Sequence, residues 1–333
     1  GLTGTVLENR SATIVFDATD GGVWTVEIGN GRGRARRGSA ADPTLVVRST
    51  AATLTDVVRG AASGVTAFLD GDLTVRGDLA LSLQLDGLFA HDADRPVEFA
   101  RAEQTTAMGV RTSYLEAGPP DGPPVLLLHG LGATNASMLP VLADLAVDHR
   151  VLAPDLPGFG ASAAPSVPYN PAWFAAWVES FQRVTGSRGA VLVGNSLGGR
   201  ISMECGLAHP GSVRAMVLLT PSPAFRRLRQ YVPMVRLIPP DLARLPIPLS
   251  HRLVVEGIRG MFSDPDRLPR AWYDSAADEA VRVLADRAHR VAFFSAARQI
   301  YLEDAYGKNG FWHRLPGLLP PARFIWGDRD RLV

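Results

Sequence analysis

Between residues 124 and 328 the chain returns repeatedly to short, continuously apolar runs: PVLLLHG, HRVLAPD, GAVLVGN, RAMVLLT and ARFIWGD. Helix-length segments separate them. A strand that is apolar at successive positions has no polar face to offer water, so the pattern predicts a parallel sheet covered on both sides by helices. The first 95 residues read differently. TIVF and VWTVEI flank DATDGG, which predicts a hairpin with an irregular loop, and TLVVRS is a further strand. TAATLTDVVRG places Leu54, Val57 and Val58 on one helical face and ends at Gly60, where a helix stop belongs. Asp70-Gly71 turns the chain into LTVRGD, and LALSLQLDGLF fits a strand or a helix equally.

The charged segment HDADRPVEFARAEQT (91–105), broken by Pro96, reads as a boundary. It predicts a small α+β domain over 1–95 and an α/β domain over 96–333. Residues 221–316 are too long for a plain connection and predict a helical cap.

An apolar fraction of 46% and a charged fraction of 20% describe a core-forming globular chain. A formal net charge of +1 gives no electrostatic case for a nucleic-acid partner. Lys308 is the one lysine; the other basic residues are arginines. The basic run GRGRARRG (31–38) reads as an edge strand blunted by charge rather than a membrane-surface patch. One cysteine, Cys205, excludes an internal disulfide framework, fits a reducing compartment and so predicts a cytoplasmic protein. No apolar run approaches the ~18–20 residues of a membrane span, and no leader is expected. No cofactor and no metal is expected either.

Candidate chemistry centres on AVLVGNSLGGR (190–200). A strand, a kink and a helix would present Ser196 at a nucleophile elbow, with Gly194 and Gly198 small because the chain doubles back there. The helix N-terminus favours developing negative charge, and the backbone N–H of Leu197 is the first expected oxyanion donor.

Three motifs in order, HGLG after an apolar strand, PDLPGFGAS and GNSLGG, resemble the α/β-hydrolase superfamily. The resemblance implies the backbone N–H of Leu131 as second oxyanion donor and a supporting, not basic, role for His129. In ARFIWGDRDRLV it assigns the acid to Asp330, counted from Gly327, with Asp328 as a turn-former. The superfamily places its histidine after the acid, and no histidine follows Asp330. His91, His129, His149, His209, His251, His289 and His313 all precede it. The expectation is a C-terminally truncated chain, starting at Gly1 rather than Met, without its last strand and helix and with the base beyond Val333.

The stretch DPTLVVRSTAATLTDVVRG…TAFLDGDLTVRGDLALSLQL resembles the sterol carrier protein 2 family, which implies an apolar tunnel and a fatty ligand in the first domain. In the cap, Trp272, Phe293, Phe294 and Tyr301 are candidates for an acyl pocket or for cap core. Arg226, Arg227 and Arg229 are candidates for a headgroup contact or a solvated face. A serine nucleophile favours a small apolar ester, a thioester or an activated carbonyl, through an acyl-enzyme. Asn195 before the serine is similar to hydrolases that cleave C–C bonds. A lipid carrier with a non-catalytic hydrolase-like scaffold is the alternative from another class.

Overall fold

The computed structural model describes residues 11–29, 32–83, 85, 100–222, 232–237, 239–246 and 248–330. It divides into two compact units, Gly1–Ala102 with Leu249–Arg282, and Glu103–Pro248 with Val283–Val333.

The first unit opens with β1 (Ala12–Ala18), β2 (Gly22–Gly29), β3 (Arg32–Arg37) and β4 (Leu45–Ser49). Helices α1 (Ala51–Arg59) and α2 (Gly64–Asp70), strand β5 (Thr74–Gly77) and the short α3 (Leu79–Ser82) follow. The sheet runs β3-β2-β1-β4-β5, with β1 antiparallel to β2 and parallel to β4. The predicted hairpin is therefore β1–β2. The first helix starts on Thr50, whose hydroxyl accepts from Thr53 N–H, and stops at Gly60 with φ 73°. Positive φ is costless only for glycine, so the residue that ends the helical pattern also ends the helix. Helix α2, which the sequence pattern did not single out, is capped likewise by Ser63 and Gly71. Every residue of β3 is solvent-exposed and, among the described residues, the strand pairs with β2 alone, so the basic run is an edge strand blunted by charge. The ambiguous LALSLQLDGLF begins as the helix α3; its residues from 86 onward lie outside the described residues. Phe16, Val47, Leu54, Val57, Val65 and Leu79 are among the side chains lining an apolar pocket between this sheet and its helices.

In the second unit the strands are β6 (Arg101–Ala107), β7 (Val110–Ala117), β8 (Pro124–Leu128), β9 (Arg150–Pro154), β10 (Ala190–Asn195), β11 (Val213–Leu219) and β12 (Ala322–Ile325). Helices α4 (Leu139–Leu145), α5 (Pro171–Val184), α6 (Leu197–Ala208) and α7 (Val232–Leu237) connect or follow them. The seven-stranded order is β12-β11-β10-β8-β9-β7-β6. All five apolar runs are strands, and they form the parallel part. Helix α5 seals one region of the core with Phe174, Trp177 and Phe181, each with 0% exposure. Strands β6 and β7 are additions to the sequence reading, and Arg101–Thr105, the end of the charged segment, lie in β6. The polar RAEQTTA is mostly exposed at the sheet edge and carries no apolar run. Met108 and Gly109, both at positive φ, make the tight connection to β7.

From β8 the chain moves outward to β9 on one side; from β10 it moves outward to β11 and β12 on the other. The strand order thus reverses between β8 and β10, and a crevice at the carboxyl ends of those strands is the expected place for a ligand.

Later in the chain, α8 (His251–Arg259) and most of α9 (Arg270–Ala285) belong to the first unit. Asp278 of α9 accepts from Arg76 Nε at 2.6 Å and from Gly77 N–H at 3.1 Å, fastening the helix to β5. Trp272 stacks on Phe68 at 5.1 Å between centroids. The second unit resumes with α10 (Arg287–Leu302), capped by Asp286, and α11 (Phe311–Arg314). Among the described residues, no helix is long and apolar enough to cross a membrane.

Candidate active site

Strand β10 delivers Ser196 at φ 50°, ψ −110°, a conformation that L-residues avoid. The corner is held by Ser196 N–H to Leu219 O at 3.0 Å and by Arg200 N–H to Ser196 O at 3.0 Å. Both motif glycines are forced by space. A Cβ on Gly194 would sit 2.4 Å from Gly198 O, and one on Gly198 only 2.0 Å from Leu128 O. Helix α6 therefore presses against the end of β8, and the serine is half-buried at the sheet's carboxyl edge. Its hydroxyl oxygen lies 2.9 Å from Ser222 Oγ, a neighbour that the sequence reading did not anticipate.

The loop after β8 lies alongside. Gly198 N–H donates to His129 O at 3.1 Å, and a Cβ on Gly130 would be 3.4 Å from Ser196 Cβ. Leu131 follows in that loop and Leu197 opens α6. A helix's first N–H groups have no acceptor within the helix. Among the described residues, neither Leu131 N–H nor Leu197 N–H has a hydrogen-bond acceptor.

His129 is wholly buried, and both ring nitrogens are engaged: Nδ1 with Gly130 O at 2.8 Å, Nε2 with Leu156 N–H at 2.9 Å. A backbone N–H can only donate, so Nε2 is the bare nitrogen and Nδ1 carries the proton. Burial lowers its pKa to about 4, against a smaller opposing effect from the Gly130 carbonyl. The ring braces the loop and is not available to Ser196. Asp155, also fully buried, accepts from Asn135 N–H and Ala161 N–H, both at 2.8 Å, and ties down the neighbouring loops. The sequence reading quoted this aspartate without giving it a role.

Asp330 lies in the turn after β12, on the same carboxyl edge as Ser196 and with β11 between the two strands. Its N–H donates to Gly327 O at 3.2 Å and it is half-buried, whereas Asp328 is exposed. Among the described residues no histidine is hydrogen-bonded to Ser196. His149 pairs with Asp148, His289 with Asp286 and Ser162 O, and His251, in the first unit, with Asp278. His209 ends α6 and His313 sits in α11. His91, Arg226, Arg227 and Arg229 lie outside the described residues.

Of the four aromatics expected in a cap, Phe293 packs beside the glycine loop that follows β8. Its ring comes within 2.9 Å of where a Gly132 Cβ would stand, and it meets Phe294 edge-on at 5.1 Å. Phe294 is 39% exposed and Tyr301 half-buried; Trp272 is the one engaged with Phe68 in the first unit.

A sheet with this order, a strained serine between two glycines and a glycine loop at its side match known proteins. Residues 123–333, well over half of the chain, match the alpha/beta hydrolase fold. The chain belongs to that family. Residues 4–90 match the SCP-2 sterol transfer family, so this alpha/beta hydrolase carries a second recognisable domain at its N-terminal side. Over 117 residues it is 38% identical to 2-hydroxy-6-oxo-6-(2'-aminophenyl)hexa-2,4-dienoic acid hydrolase of Metapseudomonas resinovorans, 34% of this chain and 40% of that protein. Over 120 residues it is 37% identical to 2-hydroxymuconate semialdehyde hydrolase of a Pseudomonas strain, 34% of this chain and 41% of the relative. The chain thus spans about two fifths of the length of these curated relatives. Among solved structures, a membrane phospholipase A described as a bacterial virulence factor aligns with TM-score 0.56 and 26% identity, over 71% of this chain and 72% of the other.

Proposed function

We propose that this alpha/beta hydrolase is a serine hydrolase that opens an apolar ester or thioester through an acyl-enzyme on Ser196. The observation that carries the reading is the strained Ser196 corner with Gly130 packed against it. In this reading Ser196 Oγ attacks the carbonyl carbon, and the N–H groups of Leu197 and Leu131 receive the oxyanion. Asp330 orients the base that takes the serine proton. The leaving alcohol or thiol departs with a proton, and water releases the acid. The domain matching the SCP-2 family would hold a fatty ligand in the pocket lined by Leu54, Val57, Val65 and Leu79, whose walls offer apolar contact.

A second reading is cleavage of a C–C bond beside a carbonyl. It draws on the two relatives named as hydrolases of oxo-dienoic and semialdehyde compounds, and on Asn195 before the serine.

A fluorophosphonate probe on the complete gene product and on its Ser196→Ala variant tests the nucleophile. Serine-dependent labelling is the expected result; equal labelling of both, or none of either, removes the enzymatic reading and leaves a lipid carrier. Long-chain p-nitrophenyl esters and acyl thioesters, set against a 2-hydroxy-6-oxo-dienoic acid, then separate the two chemistries. Turnover of the dienoic acid alone would overturn the ester assignment.

A further inference from the structure

Ser196 has one side-chain neighbour within hydrogen-bond distance among the described residues, and it is a second serine. We propose that Ser222 is a positioning residue for Ser196: its hydroxyl donates to Ser196 Oγ, fixes the rotamer of that oxygen and steadies it as it gains negative charge. The proposal rests on Ser196 being the nucleophile.

The backbone brings Ser222 there at a cost. Strand β11 ends at Leu219, and Thr220 takes φ 40°, a second non-glycine residue in the left-handed region beside Ser196 itself. A threonine, branched at Cβ, is among the least suited residues for that region. The turn is pinned on several sides. Thr220 N–H donates to Ile325 O at 2.8 Å, and Asn195 Nδ2 donates to Leu219 O at 3.3 Å. Pro221 packs so closely on α6 that a Cβ on Gly199 would stand 2.7 Å from the proline's own. Ser222 N–H then donates to Ser196 O at 3.0 Å while the two hydroxyl oxygens meet at 2.9 Å. Ser222 is 4% exposed, so its hydroxyl has little water to turn to. Strain of this kind persists only where surrounding structure imposes it, and here it delivers one hydroxyl to one oxygen.

When Ser196 Oγ attacks, its own proton leaves toward the base, and the Ser222 proton stays where it is as a donor. Donation to an oxygen gaining charge is stronger than donation to a neutral hydroxyl, so the contact favours the transition state over the resting state. No bond to Ser222 forms or breaks.

The experiment measures fluorophosphonate labelling of the complete gene product as a function of probe concentration, separating the limiting rate from half-saturation. In that reaction the Oγ–P bond forms, P–F breaks, and fluoride and the serine proton pass to water. Ser222→Ala is expected to lower the limiting rate about tenfold with half-saturation unchanged. Ser222→Thr, which keeps the hydroxyl, is expected to restore most of it. A Ser222→Ala protein that labels at the wild-type rate overturns the proposal while leaving Ser196 as nucleophile. So does a Ser222→Thr protein as slow as Ser222→Ala, because a lost shape rather than a lost hydroxyl would then be the cause. If the wild type labels no faster than Ser196→Ala, the nucleophile reading itself has failed and this proposal falls with it.

Discussion

Leu156 N–H donates to His129 Nε2 at 2.9 Å while the opposite ring nitrogen meets Gly130 O at 2.8 Å, so one neutral imidazole joins the loops after β8 and β9. Protonation would turn a second ring N–H against a backbone N–H. Burial depresses the pKa of His129 in the folded state, from 6.5 to about 4. Below 6.5 the unfolded chain takes up a proton that the folded chain refuses. The contribution of His129 is thus fully present above pH 6.5 and is lost as pH falls toward about 4, on the order of 3 kcal/mol in all. Glu204, whose carboxyl is held low by Arg314 and Arg200 despite burial, adds a loss of the same sign at lower pH. Urea unfolding of wild type and His129→Gln across this range should show the histidine part of the slope only in the wild type. Parallel slopes would refute the tautomer assigned here.

Arg200 sits one turn after the candidate nucleophile with no side-chain exposure. Its Nε donates to Glu303 at 2.9 Å, its Nη2 to Glu204 at 2.8 Å, and its guanidinium lies 4.4 Å over the Phe311 ring. Arg314 completes the cluster through Glu204 at 2.7 Å. Removing one partner of a buried ion pair strands the other, so Arg200→Met should cost about 3–5 kcal/mol in chemical denaturation. Adding Glu303→Gln to that variant should recover part of the loss. A single variant within ~0.5 kcal/mol of wild type would show that water already reaches the cluster.

The two glycines around the serine make opposite predictions. Gly198→Ala would drive a methyl into the Leu128 carbonyl, a backbone atom that has nowhere to go, and should yield little folded protein. A methyl on Gly130 meets only the Asn195 amide oxygen at 2.9 Å, the end of a side chain, with Ser196 Cβ at 3.4 Å. Gly130→Ala should fold, yet react more slowly with a fluorophosphonate because the loop beside the serine has shifted. Circular dichroism and labelling rates, taken together, check both outcomes.

In the first unit, Asp278 joins α9 to β5 through Arg76 and Gly77 and also meets His251 at 3.0 Å. Its carboxylate is largely shielded, with 18% side-chain exposure, so Asp278→Ala leaves a guanidinium and a backbone N–H short of an acceptor. A loss of about 1–3 kcal/mol is expected. Faster amide exchange in β5, with exchange in β10 unchanged, is the pattern that locates the effect.

Much of this was legible in the sequence, for physical reasons. Strands buried on both faces must be apolar throughout, so PVLLLHG, GAVLVGN and their fellows announced themselves. The elbow was equally plain, since only glycine fits where Gly194 and Gly198 stand. Strand β6 was hidden because an exposed edge imposes no apolar code on RAEQTTA. The partner of α9 was hidden differently. Asp278 and Arg76 are 202 residues apart, and nothing local in either stretch points to the other. Ser222 was hidden because nothing local in LLTPSPAF marks its hydroxyl; the turn through Thr220 at φ 40° is what carries it to Ser196.

Cys205 lies on the inner side of α6, 1% exposed, its thiol driven by burial well above the ordinary range. It is also the chain's single sulfhydryl. A maleimide or disulfide reagent added to the native protein accordingly has one target, and that target answers only when the helix behind the Ser196 corner comes away. The molecule thereby carries its own stopwatch for opening at that place, read without any engineered tag.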